Sequence, residues 1–157
     1  MKGKFNLIDI ARKGKAKLAG ESKSITGFSI DSRTTIPGDL YIALKGNNFD
    51  GHDFVNQAKE NGAIAVVSEK EIDIELPLLK VDKTDDFLLE LAKSNRESFK
   101  GKVIGITGSN GKTSTKEILA TLLSLNNKCH KTEGNKNNQI GLPLSMLSLD
   151  NAFNYSV

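Results

Sequence analysis

The sequence predicts an α/β chain in two parts: a small N-terminal α/β domain, followed by the start of a mostly parallel α/β domain. Two observations carry this. Short apolar runs at residues 40–44, 63–67 and 103–106 read as strands. Segments with apolar residues at helical spacing follow each of them, and strands alternating with helices favour parallel pairing.

The elements follow in order. Residues 5–12 read as a short helix built on Leu7, Ile8 and Ile10. A polar, Gly- and Lys-rich stretch runs to Lys23, and residues 25–30 alternate as a strand. Ile36-Pro37-Gly38-Asp39 is a turn signal, residues 40–44 a strand, and residues 45–51 a polar loop. Phe54, Val55 and Ala58 mark one face of a short helix that ends at Asn61-Gly62, where Gly62 suits a left-handed cap. A buried strand at 63–67 and a weaker one at 78–81 complete the first part. Thr84 reads as an N-cap, with Asp85 and Asp86 favoured by the helix dipole. The helix continues on Phe87, Leu88, Leu91 and Ala92 to Phe99. The boundary is expected near residues 82–84, which gives domains of 1–83 and 84–157.

Composition narrows the class. Hydrophobic residues make up 38% and charged residues 26% of the 157, a balance that suits a globular protein. A net charge of +3 is too mild to argue for nucleic acid or a membrane surface, so neither is expected as a partner. The basic stretch Arg12, Lys13, Lys15 and Lys17 reads as solvated surface. The lone Cys129 excludes an internal disulfide and reads as a half-buried strand thiol. His52 reads as a structural hydrogen-bonding residue and His130 as surface or strand filling. There is no signal-peptide pattern and no apolar run approaching about 18 residues, so a cytoplasmic location is expected.

The chemistry concentrates in residues 103–115, V-I-G-I-T-G-S-N-G-K-T-S-T. An apolar run leads into a glycine-rich turn, then Lys112 and Thr113, then a helix with Ile118, Leu119, Leu122 and Leu123 on one face. This order is that of a phosphate-binding loop. A triphosphate needs many N–H donors and fixed positive charge. Gly108 and Gly111 let backbone amides close around phosphate oxygens, and the helix start adds unpaired N–H groups and a positive dipole end. Lys112 is placed to reach the β- and γ-phosphates and Thr113 to ligate Mg²⁺. The general pattern G-x-x-x-x-G-K-[ST] is not met in full, because Ile106 stands where its first glycine would be. A glycine-rich turn with no ligand is the simpler alternative.

Three stretches line up with one family: residues 27–54 (G-F-S-I-D-S-R-T-T-I-P-G-D-L-Y-I-A-L-K-G-N-N-F-D-G-H-D-F), residues 105–117 (G-I-T-G-S-N-G-K-T-S-T-K-E) and residues 132–144 (T-E-G-N-K-N-N-Q-I-G-L-P-L). Together they closely resemble the Mur ligases of peptidoglycan synthesis, over nearly the whole chain. Within that family the third stretch is most similar to the branch that joins D-alanyl-D-alanine to a UDP-N-acetylmuramoyl-tripeptide.

The resemblance implies an ATP-dependent ligase in which ATP phosphorylates the tripeptide's terminal carboxylate. The dipeptide amine then attacks the acyl phosphate, and the tetrahedral intermediate collapses to an amide and phosphate. Catalysis would rest on positioning and charge neutralisation. The resemblance implies an ATP loop at Gly108, Ser109, Asn110, Gly111, Lys112, Thr113 and Ser114, with Lys112 catalytic and Thr113 on Mg²⁺. It places Ser32 at the UDP-sugar, Asn47, Asn48 and Phe49 at the uridine end, and Asn135, Asn137 and Asn138 near the muramoyl substrate and the γ-phosphate.

The resemblance also implies parts beyond Val157: a metal-binding glutamate, a histidine, a carbamylated lysine, the adenine-gripping segment and a C-terminal domain. The chain is therefore expected to be a fragment, inactive alone. It should expose apolar helix faces and open strand edges, with marginal stability or self-association. Two other readings stay open: a non-catalytic module for a UDP-sugar or nucleotide, and a ligase of the folylpolyglutamate-synthase type.

Overall fold

The computed structural model describes residues 5–46, 49–134 and 139–157. Contacts group the chain into two compact units, Met1–Leu91 and Ala92–Val157.

The first unit is built on a five-stranded sheet. Its elements are β1 (Phe5–Asn6), α1 (Leu7–Lys13), β2 (Lys17–Ala19), β3 (Ser24–Ile25), β4 (Gly27–Ser29), β5 (Asp39–Ile42), α2 (Val55–Glu60), β6 (Ala65–Ser68) and β7 (Leu78–Lys80). The strand order is β2-β7-β6-β5-β4. Strands β4 to β7 run parallel and β2 joins β7 antiparallel. Leu40, Ile42, Ala65, Val66, Val67 and Leu79 are completely buried, as expected for strands covered on both faces. Short strands β1 and β3 pair separately, antiparallel.

Local chemistry explains the connections. Asn6 accepts the Ile8 N–H at 2.8 Å and caps α1. Gly62 ends α2 with φ +106°, and a Cβ there would lie 2.7 Å from the Pro37 backbone. The Gly38 amide donates to the Gly62 carbonyl, so this glycine lets two turns touch. The sequence missed β2, in a stretch it reads as irregular. The strand is at the sheet edge, where Lys17 and Ala19 face solvent and one neighbour, β7, suffices to hold it.

Helix α3 (Thr84–Ser98) takes in Thr84 as its first residue instead of its N-cap, and the Lys83 carbonyl accepts the Phe87 amide. The Thr84 amide and hydroxyl both donate to Glu69, at 2.8 and 3.0 Å. Phe87, Leu88 and Leu91 are buried as the periodicity predicts, and the Phe87 ring fills the space a side chain at Gly14 would need.

The second unit contains β8 (Lys102–Val103), α4 (Lys112–Ser124), β9 (Cys129–His130), α5 (Gly141–Leu147) and β10 (Tyr155–Ser156). Its three strands are parallel in the order β8-β10-β9. Of the predicted 103–106 run only Val103 lies in a strand, together with the preceding Lys102, although the Ile104 amide extends the ladder to the Ser156 carbonyl. The rest is half-buried or exposed because this part of the chain lines an open cavity.

The predicted apolar face of α4 is only partly covered. Leu119 and Leu123 are half-buried, but Ile118 is 62% and Leu122 59% exposed. The helix buries Lys116 and Ala120 instead, because a small three-stranded sheet covers one narrow side of it. Apolar helix surface is thus exposed, as expected. His130 is more than filling: its two ring nitrogens bond the Ser156 and Ser148 hydroxyls, and its ring meets Phe153 edge-on. Burial lowers its pKa. Cys129 is a half-buried strand thiol, as read, and burial raises its pKa. Among the described residues no helix is long and apolar enough to cross a membrane.

Truncation at a covered strand should differ sharply from truncation on the open helix face. Leu40→Ala should destabilise the first unit by about 2–5 kcal/mol, whereas Leu122→Ala should change stability by less than about 0.5 kcal/mol. Urea unfolding of the two variants checks this, and equal losses would refute the packing described.

Candidate functional site

Two cavities carry the candidate residues, one in each unit. In the second unit, the chain leaves β8 and turns at Gly108 (φ +148°) and Gly111 (φ +78°) before entering α4. A Cβ at Gly111 would meet nothing within 4 Å, so the backbone angle, not crowding, selects glycine there. Gly111 caps the helix without a side-chain bond, and its carbonyl accepts the Thr115 N–H. The amides of residues 112–114 precede that first helical bond and point out of the helix end. Lys112 curls over the loop, and its Nζ donates to the Gly108 carbonyl at 2.5 Å. A cavity of about 330 Å³ opens here, lined by Ile104, Ile106, Lys112, Thr113, Thr132 and Gly134, among others. Ser109, Asn110 and Ser114 are exposed around the loop.

The structure adds a residue that sequence reasoning missed. Lys116 is only 9% exposed, and its Nζ donates to the carbonyls of Thr132 at 2.7 Å and Gly134 at 2.9 Å. It lies one turn beyond Lys112 on the same helix face. The available signal was its place four residues after Lys112, but the sequence does not show which carbonyls it meets. Beside it, Glu117 pairs with Lys131 at 2.6 Å, and this contact lowers the Glu117 pKa.

In the first unit a cavity of about 420 Å³ is lined by Asp31, Ser32, Tyr41, Phe49, Phe54 and Gln57, among others. Asp31 caps a 3-10 turn at Ser32–Thr34 and is gripped by the Arg33 guanidinium through Nε at 2.9 Å and Nη2 at 2.6 Å. Those contacts lower its pKa to about 2. Ser32 is nearly buried, and its hydroxyl donates to Gln57 Oε1 at 2.6 Å. It therefore meets a ligand as an acceptor. Phe49 is 63% exposed at the rim, which suits stacking more than packing. Tyr41 is buried, donates to the Gly51 carbonyl at 3.0 Å and has its pKa raised to about 12, chiefly by burial. Gln57 was not singled out from the sequence, since its role depends on the turn of α2 that meets Ser32, and Phe54, read from the sequence as part of the helix's apolar face, precedes α2 and is exposed at the cavity. Asn47, Asn48, Asn135, Asn137 and Asn138 lie outside the described residues.

Asp50 and His52 are tied to the residues just after β6 by a charged cluster. Asp50 bonds the ring Nδ1 and the backbone N–H of His52 and the Lys70 ammonium at 2.8 Å. The other His52 nitrogen accepts the Glu69 amide at 3.0 Å. His52 is thus a structural hydrogen-bonding residue, as the sequence suggested.

In the second unit a strand, a glycine loop, Lys-Thr and a helix surround an open cavity, and the first unit carries its own cavity-lining cluster. The chain belongs to the Mur ligase family: residues 24–121 match the model for the Mur ligase family catalytic domain and residues 106–157 that for the Mur ligase middle domain. It is 41% identical over 141 residues to the UDP-N-acetylmuramoyl-tripeptide–D-alanyl-D-alanine ligase of Escherichia coli, covering 90% of this chain and 31% of that protein. The Bacillus subtilis ligase of the same name is 41% identical over 152 residues, covering 93% and 33%. Among solved structures, MurF from Acinetobacter baumannii superposes with a TM-score of 0.93 at 34% identity, covering 99% of this chain and 35% of that one. MurF ligase from Thermotoga maritima in complex with ADP gives 0.72 at 41% identity, covering 82% and 30%. The chain spans about a third of the length of the curated relatives it matches.

Acid should reveal the Asp50 cluster. Its carboxyl is held well below the usual carboxylate range, chiefly by Lys70, with the His52 amide and ring adding to that and burial opposing it. Its folded pKa lies below the unfolded value of about 3.9. The stabilisation is therefore complete above that pH and is lost as the pH falls towards the folded value. Asp50→Asn should lower the urea midpoint near neutrality and flatten its decline between about pH 5 and pH 3. An acid limb as steep as the wild type's would show that this carboxylate does not contribute.

Proposed function

We propose that this chain forms the substrate-binding and phosphate-binding part of an ATP-dependent ligase that joins D-alanyl-D-alanine to a UDP-N-acetylmuramoyl-tripeptide through an acyl phosphate, in peptidoglycan precursor synthesis. Residues 1–83 hold the UDP-linked substrate and residues 84–157 open the ATP domain. The observation that carries the reading is the left-handed turn at Gly111, which aims the first amides of α4, Lys112 and Thr113 into one cavity.

The residues present fit ATP with Mg²⁺. The amides of the 108–114 turn and the Lys112 ammonium oppose phosphate charge, and Lys112 neutralises it on the transferring group. The Thr113 hydroxyl is the metal ligand in this segment. Among the described residues no cluster of three or more His, Cys, Asp or Glu side chains could hold a metal. This suits Mg²⁺, which takes one or two protein groups and completes its shell with phosphate oxygens and water. A bound Mg²⁺ supplies charge neutralisation across the phosphates.

In the first unit, Ser32 accepts from the sugar portion, and Phe49 offers a ring face to the uracil base. Asn47 and Asn48 contact the uridine end, and Asn135, Asn137 and Asn138 serve the muramoyl and γ-phosphate side. Peptidoglycan precursors of this kind are small soluble molecules, which matches a cytoplasmic enzyme.

Isothermal titration with MgADP tests the nucleotide site directly. Lys112→Ala should weaken binding about 10- to 100-fold, the equivalent of roughly 1.5–3 kcal/mol for a charge-assisted hydrogen bond. Unchanged affinity would place the nucleotide elsewhere.

A further inference from the structure

We propose that Lys116 is a positioning residue for the γ-phosphate end of the nucleotide site, acting through the backbone of residues 132–134. The inference rests on the nucleotide reading above.

The geometry is specific. Lys116 is nearly buried in α4 and forms a long ion pair with Glu117 at 3.5 Å. Its two short bonds go to main-chain carbonyls, Thr132 at 2.7 Å and Gly134 at 2.9 Å. Burying a charge on two carbonyls is costly unless the arrangement is held. It is held on the far side too. The Thr132 amide donates to the Val157 carbonyl, and its hydroxyl bonds Ser145 at 3.0 Å. Residues 132–134 are therefore clipped between α4 and the sheet.

Thr132 and Gly134 of that segment line the same cavity as Lys112, Thr113 and Lys116 itself. In a phosphate loop these two residues serve the β- and γ-phosphates and their metal, while the loop amides cradle the phosphates nearer the nucleoside. Loss of the clip should therefore act on the terminal phosphate and leave the diphosphate contacts in place. Lys116 itself reaches no phosphate in this scheme, because its ammonium is committed to the two carbonyls.

The test is the ratio of affinities of this chain for a non-hydrolysable MgATP analogue and for MgADP, measured by titration calorimetry. Lys116→Met keeps the length and apolar stem but donates nothing. It should weaken the triphosphate analogue about tenfold or more, a misplacement-sized effect, with MgADP changed less than about twofold. Lys116→Arg keeps two donors and should restore most of the ratio. Lys116→Gln, a shorter donor, should fall between them and serves if the Met variant does not fold. Equal weakening of both nucleotides, or no change in either, overturns the positioning role while leaving the nucleotide site intact. A wild-type chain that binds neither nucleotide overturns the nucleotide reading itself, and this role with it.

Discussion

Gly111 stands at φ +78° with open space around it, and the geometry of the loop and the start of α4 depends on that angle. A strand end and a helix start must meet within a few residues here. A left-handed residue lets the chain reverse so that the helix begins with its free amides pointing back at the turn. The helix phase is then set. Lys112 and Thr113 fall beside the cavity, Lys116 falls one turn deeper, and Ala120 follows it into the core. A side chain at 111 would meet no clash, so the demand is conformational: an L-residue would favour another backbone angle and rotate everything downstream.

The two units solve burial differently. In the first, the central strands β5 and β6 are buried along their whole length, while β4 and the sheet edge at β2 are only partly covered. The cavity there rests on that rigid base: Tyr41 leaves the sheet and ties down Gly51, while Asp50, His52, Lys70 and Glu69 brace the neighbouring loop. In the second unit three two-residue strands support one side of α4, and Ile118 and Leu122 face outward. Polar ties take up part of the task. Asn154 accepts the Lys102 amide through its carbonyl and the Lys128 amide through its side chain, and Asn95 donates to the carbonyls of Met146 and Leu149. His130 joins β9 to β10 and to the end of α5. Half-buried and exposed polar links of this kind hold the segments in place where apolar area is scarce.

Charge is organised on the same logic. Arg33 with Asp31, Lys70 with Asp50 and Lys131 with Glu117 are pairs at or near the surface, where each contributes little by itself. Lys116 differs because it is buried and its short bonds are to carbonyls. A buried cation held by backbone constrains chain path more than it adds stability.

Local chemistry in the sequence determined the glycine loop at 108–111, the Gly62 turn, the buried strands of the first unit and the apolar face of α3. Each depends on neighbours in the chain: a glycine's freedom, a short apolar run, a helical spacing. Tertiary structure alone decided the rest. Strand β2 exists because β7 offers an edge to Lys17–Ala19. Ser32 is turned towards Gln57, 25 residues away, and His130 towards Ser156, 26 away. Ile118 and Leu122 look like core by periodicity and are not, because periodicity shows which face is apolar but not what stands opposite. Lys116 reads as a surface lysine until the strand return brings Thr132 and Gly134 to its ammonium. Short-range conformational preference is written residue by residue. Partnership across the fold is settled only when distant segments compete for the same buried space and the same hydrogen bonds.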